Sequence, residues 1–195
     1  MMKTTISIML ATTLLAAGSA SAQASRAHAA GASMSAVMVG GQSMLPSRDI
    51  VDNAVNSADH TTLVAAVKAA DLVQTLKGRG PFTVFAPVND AFENLPEGTV
   101  ATLLRPESKA ALTKVLTYHV VPGRYTGADL MRLIRAGRGS ATLRTASGGT
   151  LTAMMNGPMN VVVRDESGNV ANVTTYDVAQ SNGVIHVINK VLLPR

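Results

Sequence analysis

Residues 82–92 read Phe82-Thr83-Val84-Phe85-Ala86-Pro87-Val88-Asn89-Asp90-Ala91-Phe92. The first four are aromatic or β-branched, the side chains that suit a pleated, half-buried surface, and Gly80-Pro81 and Pro87 bound them, so a short strand is predicted. Pro87 holds the backbone before it extended, and Asn89 can cap a helical turn that starts at Asp90.

On the N-terminal side, residues 50–56 predict a short helix. Ser57-Ala58-Asp59 offers cap side chains to a second one, in which Leu63, Val64, Ala66, Val67 and Ala70 recur with a 3.6-residue period. Residues 71–77 add a turn or two, ended by Gly78. On the C-terminal side, a helix over 99–104 stops at Arg105-Pro106, and the next runs to about Tyr118, burying Leu112, Val115 and Leu116. Pro122-Gly123 turns the chain into a further helix over 128–134. Strand signals then take over. Residues 141–145 and 150–154 flank Ser147-Gly148-Gly149, residues 161–164 and 170–173 flank Glu166-Ser167-Gly168, and 184–188 and 191–193 finish the sheet. Helices lying early and strands late predict an α+β fold with a mostly antiparallel sheet, not a doubly wound parallel one.

The chain has 195 residues, no cysteine, and 17 Lys plus Arg against 12 Asp plus Glu, a net charge of +5. Without cysteine there is no disulfide scaffold, thiolate zinc site, iron–sulfur centre or cysteine nucleophile. Apolar residues at 47% and charged ones at 15% describe a chain that folds. Three Phe, three Tyr and no Trp leave few platforms on which bases could stack, so the pI of about 9.9 does not point to nucleic acid. Residues 1–22 carry Lys3, an apolar run over 6–17 and then Ala20-Ser21-Ala22, the layout of a secretory signal peptide cleaved after Ala22. The run is shorter than the ~20 residues a membrane-crossing helix needs. Residues 23–45, rich in Ala, Ser, Gly and Met and free of acidic groups, bury too little to offset their ordering entropy and read as a flexible linker. One domain over 46–195 follows, large enough to hold a core of its own.

Three segments of that domain match a known family. Residues 82–92 resemble the first signature of the fasciclin (FAS1) domain. Asn182-Gly183-Val184-Ile185-His186-Val187-Ile188-Asn189-Lys190-Val191-Leu192-Leu193-Pro194 resembles the second, and Tyr118-His119-Val120-Val121-Pro122-Gly123 resembles the family's Tyr-His segment between them. All three stand in order over 47–195, and the layout is similar to single-domain secreted bacterial members such as the mycobacterial secreted antigens. The resemblance implies a β-wedge of about seven strands flanked by short helices, with both signature segments in adjoining core strands. Phe82, Thr83, Phe85, Pro87, Asn89, Phe92, Asn182, Gly183, His186 and Pro194 are its structural signature. It also implies a secreted, monomeric, non-enzymatic module, without cofactor, that binds a cell-surface or extracellular-matrix protein or polysaccharide. Two positions depart from the pattern. Val88 stands where Thr, Ser or Asn is usual, which moves the helix cap to Asn89. Asn189 stands where Asp is common, which removes an acidic group from the place where animal homologues contact integrins, so no such contact carries over to Asn189.

Two candidate contacts follow. Tyr118 and His119 correspond to part of the adhesion surface of animal homologues, although a partly buried histidine here can equally hold neighbouring backbone by hydrogen bonds. Arg132, Arg135, Arg138 and Arg144 form a basic cluster suited to an anionic polysaccharide, a lipid headgroup or nucleic acid, or simply to a solvated face. His186 faces the opposite side of its strand from Ile185 and Val187. No His-x-His or His-Glu-x-x-His spacing suggests a metal, and no Gly-x-Ser-x-Gly elbow, phosphate loop or dinucleotide fingerprint assigns a catalytic residue. Asp90, Glu93 and Glu97 are ordinary partners of a helix N-terminus. The competing class is a periplasmic carrier of a small apolar or metal ligand, held in a cleft between sheet and helices.

Overall fold

The computed structural model describes residues 36–195, so the expected signal peptide and the 23–35 part of the expected linker lie outside the described residues. β1 (Val37–Val39) and β2 (Gln42–Met44) pair antiparallel around Gly40-Gly41, whose φ angles of 58° and 73° are those of a tight two-residue hairpin. This corrects the linker boundary at residue 45: Val39 and Met44 are buried in the core, and the Ala58 N–H donates to the Gly40 carbonyl at 3.3 Å. Three-residue strands are too short to show a period, and the Gly-Gly pair is their one local signal.

α1 (Ile50–Ala54) starts at Asp49, whose carboxylate accepts from the Asp52 N–H at 2.8 Å. A 3-10 turn over Ala58–His60 leads into α2 (Thr61–Ala69), and α3 (Val73–Leu76) follows. Then come β3 (Phe82–Pro87), α4 (Asn89–Glu93), α5 (Thr99–Leu103), a 3-10 turn over Pro106–Ser108, α6 (Lys109–Tyr118), β4 (Val120–Pro122) and α7 (Gly127–Ala136). Asn89 does not cap the turn it begins. Its side chain reaches α2 instead, accepting from the Thr62 N–H at 3.0 Å and donating to the Ala58 carbonyl at 2.8 Å. It therefore supplies from a distance the cap that α2 lacks locally. α7 has a full capping box, with Thr126 and Asp129 each satisfying the other's backbone N–H.

β5 (Ser140–Arg144), β6 (Thr150–Met155), β7 (Val161–Arg164), β8 (Val170–Gln180) and β9 (Gly183–Ile188) complete a seven-stranded sheet of order β4-β3-β9-β8-β7-β6-β5. Every pairing is antiparallel except β3 with β9, which run parallel with Phe85 opposite His186. The two signature segments are thus neighbouring strands, as the resemblance implies. The outer strands approach each other where the Ala146 N–H donates to the Val120 carbonyl at 2.7 Å, giving the sheet its near-barrel wedge shape. Gly183 opens β9 because a Cβ there would lie 2.2 Å from the Phe82 carbonyl oxygen. β8 runs past the expected end at Val173, since register shifts at 173/175 and 175/178 let it bend and continue through a stretch with no clean alternation. Residues 191–193 are not a strand. Their N–H groups are taken by side chains, Leu192 by His119 and Leu193 by Asp165.

Strand parity divides the interior in two. Val84, Ala86, Ile185 and Val187 face a core shared with α1, α2, α6 and the β1–β2 hairpin. Phe85, His186 and Ile188 face the other side, where Phe85 and Ile188 join Tyr118, Leu130, Ile134, Leu151 and Val163 in a core enclosed by the wedge and α7. His186 lies there against Phe85, ring centroids 5.7 Å apart.

Candidate functional site

Tyr118 and His119 are 0% and 3% exposed, which removes them from the surface. The reason is local: α6 ends at Tyr118 and the chain enters β4 at once, so both rings point into the interior. The Tyr118 hydroxyl donates to the Thr150 carbonyl at 2.6 Å and accepts from the Glu166 N–H at 3.0 Å. His119 Nδ1–H donates to the Val115 carbonyl at 2.8 Å, and Nε2 accepts from the Leu192 N–H at 2.9 Å, so its tautomer is set by its partners. Burial pushes the imidazole down to about 4 and raises the Tyr118 phenol. The pair joins α6, the β6 start and the C-terminal segment, with its polar atoms bonded inside.

The remaining signature groups are also spent internally. Thr83 Oγ1 donates to the Gly123 carbonyl at 2.7 Å and accepts from the Tyr125 N–H at 2.9 Å. Asn182 donates to the Leu76 and Gly78 carbonyls and accepts from the Ile50 N–H, tying β9 to α1 and α3. His186 Nε2–H donates to the Tyr125 carbonyl at 2.8 Å, and burial lowers its pKa. Phe82 and Phe92 pack in the first core, Pro87 is buried and Pro194 half-buried. Asn189 accepts from the Asn172 N–H at 2.8 Å. Asp90, Glu93 and Glu97 are exposed, and among the described residues no group of three or more His, Cys, Asp or Glu could hold a metal ion.

The arginines stay outside but regroup. Arg132, 76% exposed, is neutralised by Asp129 at 2.6 Å one turn earlier. Arg135 in the last turn of α7 and Arg138 in the following turn are exposed, and no ion pair involves either of them among the described residues. Arg144 lies at the far end of β5, roughly 13 Å along the strand from Ser140. There it stands opposite Thr150, while Arg164 stands opposite Thr152, so both arginines share the solvent face of the sheet across β6. Arg164 escapes a sequence reading because only the register puts it on the same face as Arg144, two strands away; its place at the end of the apolar run Val161-Val162-Val163 is the one hint.

The parallel pairing of the two signature strands, with the Tyr-His segment in the third, coincides with the match of residues 58–194 to the family model described as the fasciclin domain. The chain belongs to the fasciclin family. Among relatives of this fasciclin domain, protein sll1483 of Synechocystis is 49% identical over 146 residues, covering 74% of this chain and 73% of its own. The immunogenic protein MPB70 of Mycobacterium bovis is 33% identical over 146 residues, 72% of this chain and 66% of its own. A solved FAS1 domain pair from the insect cell adhesion molecule fasciclin I superposes with a TM-score of 0.68 at 21% identity, over 76% of this chain. The present chain spans about half of that pair (52%), and at that identity the likeness establishes the fold. No helix of the described residues is long and apolar enough to cross a membrane.

Proposed function

We propose that the protein is an exported, non-enzymatic interaction module that holds an anionic cell-surface or extracellular-matrix component through the arginines of the α7–β5 side. The observation that carries this reading is the division of polar groups. The polar residues of the signature and Tyr-His segments spend their hydrogen bonds inside, whereas Arg135, Arg138, Arg144 and Arg164 are exposed. Guanidinium groups suit carboxylate or sulfate on a polymer because the planar fork can bind two oxygens at once. Membership of a family that includes a domain pair from an insect cell adhesion molecule supports the same reading.

Charge reversal tests it. Arg135→Glu combined with Arg138→Glu should weaken retention on an anionic polysaccharide such as heparin about tenfold at low salt, the equivalent of ~0.7 kcal/mol for each site, and raising the ionic strength should erase the difference. Retention unchanged by the double reversal would remove this surface from the function. Export is checked separately. The protein recovered outside the cytoplasm should begin at Gln23, and material that still carries Met1 would contradict cleavage after Ala22.

A further inference from the structure

A cavity of about 290 Å³ opens between α1, α2, α3 and α6 on one side and β3 on the other. Its wall is aliphatic, with Val51, Val64, Val67, Leu76, Leu116 and Val120 prominent. Apart from Thr75 and Lys68, both exposed at the rim, the polar groups on the wall are engaged elsewhere. Both His119 nitrogens are bonded, Thr117 Oγ1 donates to the Thr113 carbonyl at 2.6 Å, and Lys77 at the rim is paired with Asp49 and Asp52. Water needs two to four polar partners to occupy such a space stably, and the inner wall provides none. The volume is about twice that of a dry protein cavity known to admit benzene, and near the lower end of ligand pockets. One cationic side chain at the mouth has no ion-pair partner among the described residues: Lys68, exposed in the last turn of α2.

We infer that this cavity is a binding site for a medium-chain carboxylic acid, its hydrocarbon tail inside and its carboxylate at Lys68. A space of about 290 Å³, near the lower end of ligand pockets, suits a medium-length hydrocarbon chain better than a long one. The site is separate from the arginine surface and stands or falls without it. It also gives the apolar half of the carrier reading a definite place, between helices and sheet.

The test is a titration of the full, delipidated chain with decanoate, followed by calorimetry or native mass spectrometry. One decanoate should bind per chain. Val64→Phe, which fills the space from α2, should weaken that binding at least tenfold while the circular dichroism spectrum is kept. Should Val64→Phe fail to fold, Ala54→Leu fills the opposite wall and should act in the same direction. Lys68→Glu should weaken decanoate severalfold and leave decanol, which has no charged head, unaffected. Absence of saturable decanoate binding would overturn the proposal, as would binding that folded Val64→Phe or Ala54→Leu leaves unchanged. Flotation with phosphatidylglycerol vesicles in place of decanoate binding would overturn the assignment to a free acid.

Discussion

His119→Ala should destabilise the domain by about 3–5 kcal/mol, enough to unfold a substantial fraction of a protein whose whole stability is of the order of 5–15 kcal/mol. Two losses add. The Leu192 N–H and the Val115 carbonyl lose their imidazole partner in a buried setting, at about 1–3 kcal/mol for a donor left unmade, and the space vacated by the ring forfeits its packing. Urea denaturation reads the effect directly. A shift of the midpoint by less than a tenth would mean that the C-terminal segment is held some other way. Tyr118→Phe belongs in the same experiment. It keeps the ring and removes only the hydroxyl that joins Thr150 to Glu166, so a smaller cost of about 1–3 kcal/mol is expected. If both variants stayed folded and lost attachment, the Tyr-His segment would be a contact surface after all, against its burial.

Acid should loosen the fold well above the range in which carboxylates titrate. Burial lowers the pKa of His60, His119 and His186, so the folded protein holds these rings neutral while the unfolded chain takes up protons near pH 6.5. Each histidine's contribution is therefore complete above about pH 6.5 and is lost as pH falls from there toward the folded pKa. For His119, with a folded value of about 4, the loss is about 2 kcal/mol at pH 5 and about 3 kcal/mol by pH 4, near 1.4 kcal/mol for each pH unit. His60 acts in the same direction. Its Nδ1 meets the Ser57 hydroxyl at 2.9 Å, while Nε2, near the Ala86 backbone, makes no hydrogen bond. Glu166, lowered chiefly by the Thr150 N–H, and Asp129, lowered chiefly by the Thr126 hydroxyl, lose their stabilisation only as pH falls below the ordinary carboxylate range. The two windows separate in a denaturation series. Equal urea midpoints at pH 7.5 and pH 5 would show that the buried imidazoles do not govern the acid response.

What could be read along the chain was what depends on near neighbours. The strand at 82–85, the 3.6-residue period of α2 and the two hairpins of the C-terminal half rest on side-chain shape and local sterics, and the structure has them within a few residues of their expected places. Even the facing of His186, opposite to Ile185 and Val187, follows from the two-residue repeat of a strand. Other features depend on partners far along the chain. Residues 37–44 looked like a tether because their apolar side chains find partners only in elements that come later in the chain. Asn89 looked like a local cap, and its true acceptor and donor are at Ala58 and Thr62.

For the site, residue types already named arginine as the candidate chemistry for anions, because guanidinium carries that property wherever it stands. Tertiary structure alone decided which arginines share a face, since Arg144 and Arg164 come to one side of the sheet only through the β5–β6–β7 register. It also withdrew Tyr118 and His119 from that surface and hollowed the space beside α2. A hydrogen bond between residues 73 positions apart, such as that from Leu192 to His119, answers to the closure of the whole wedge, and no local pattern encodes it.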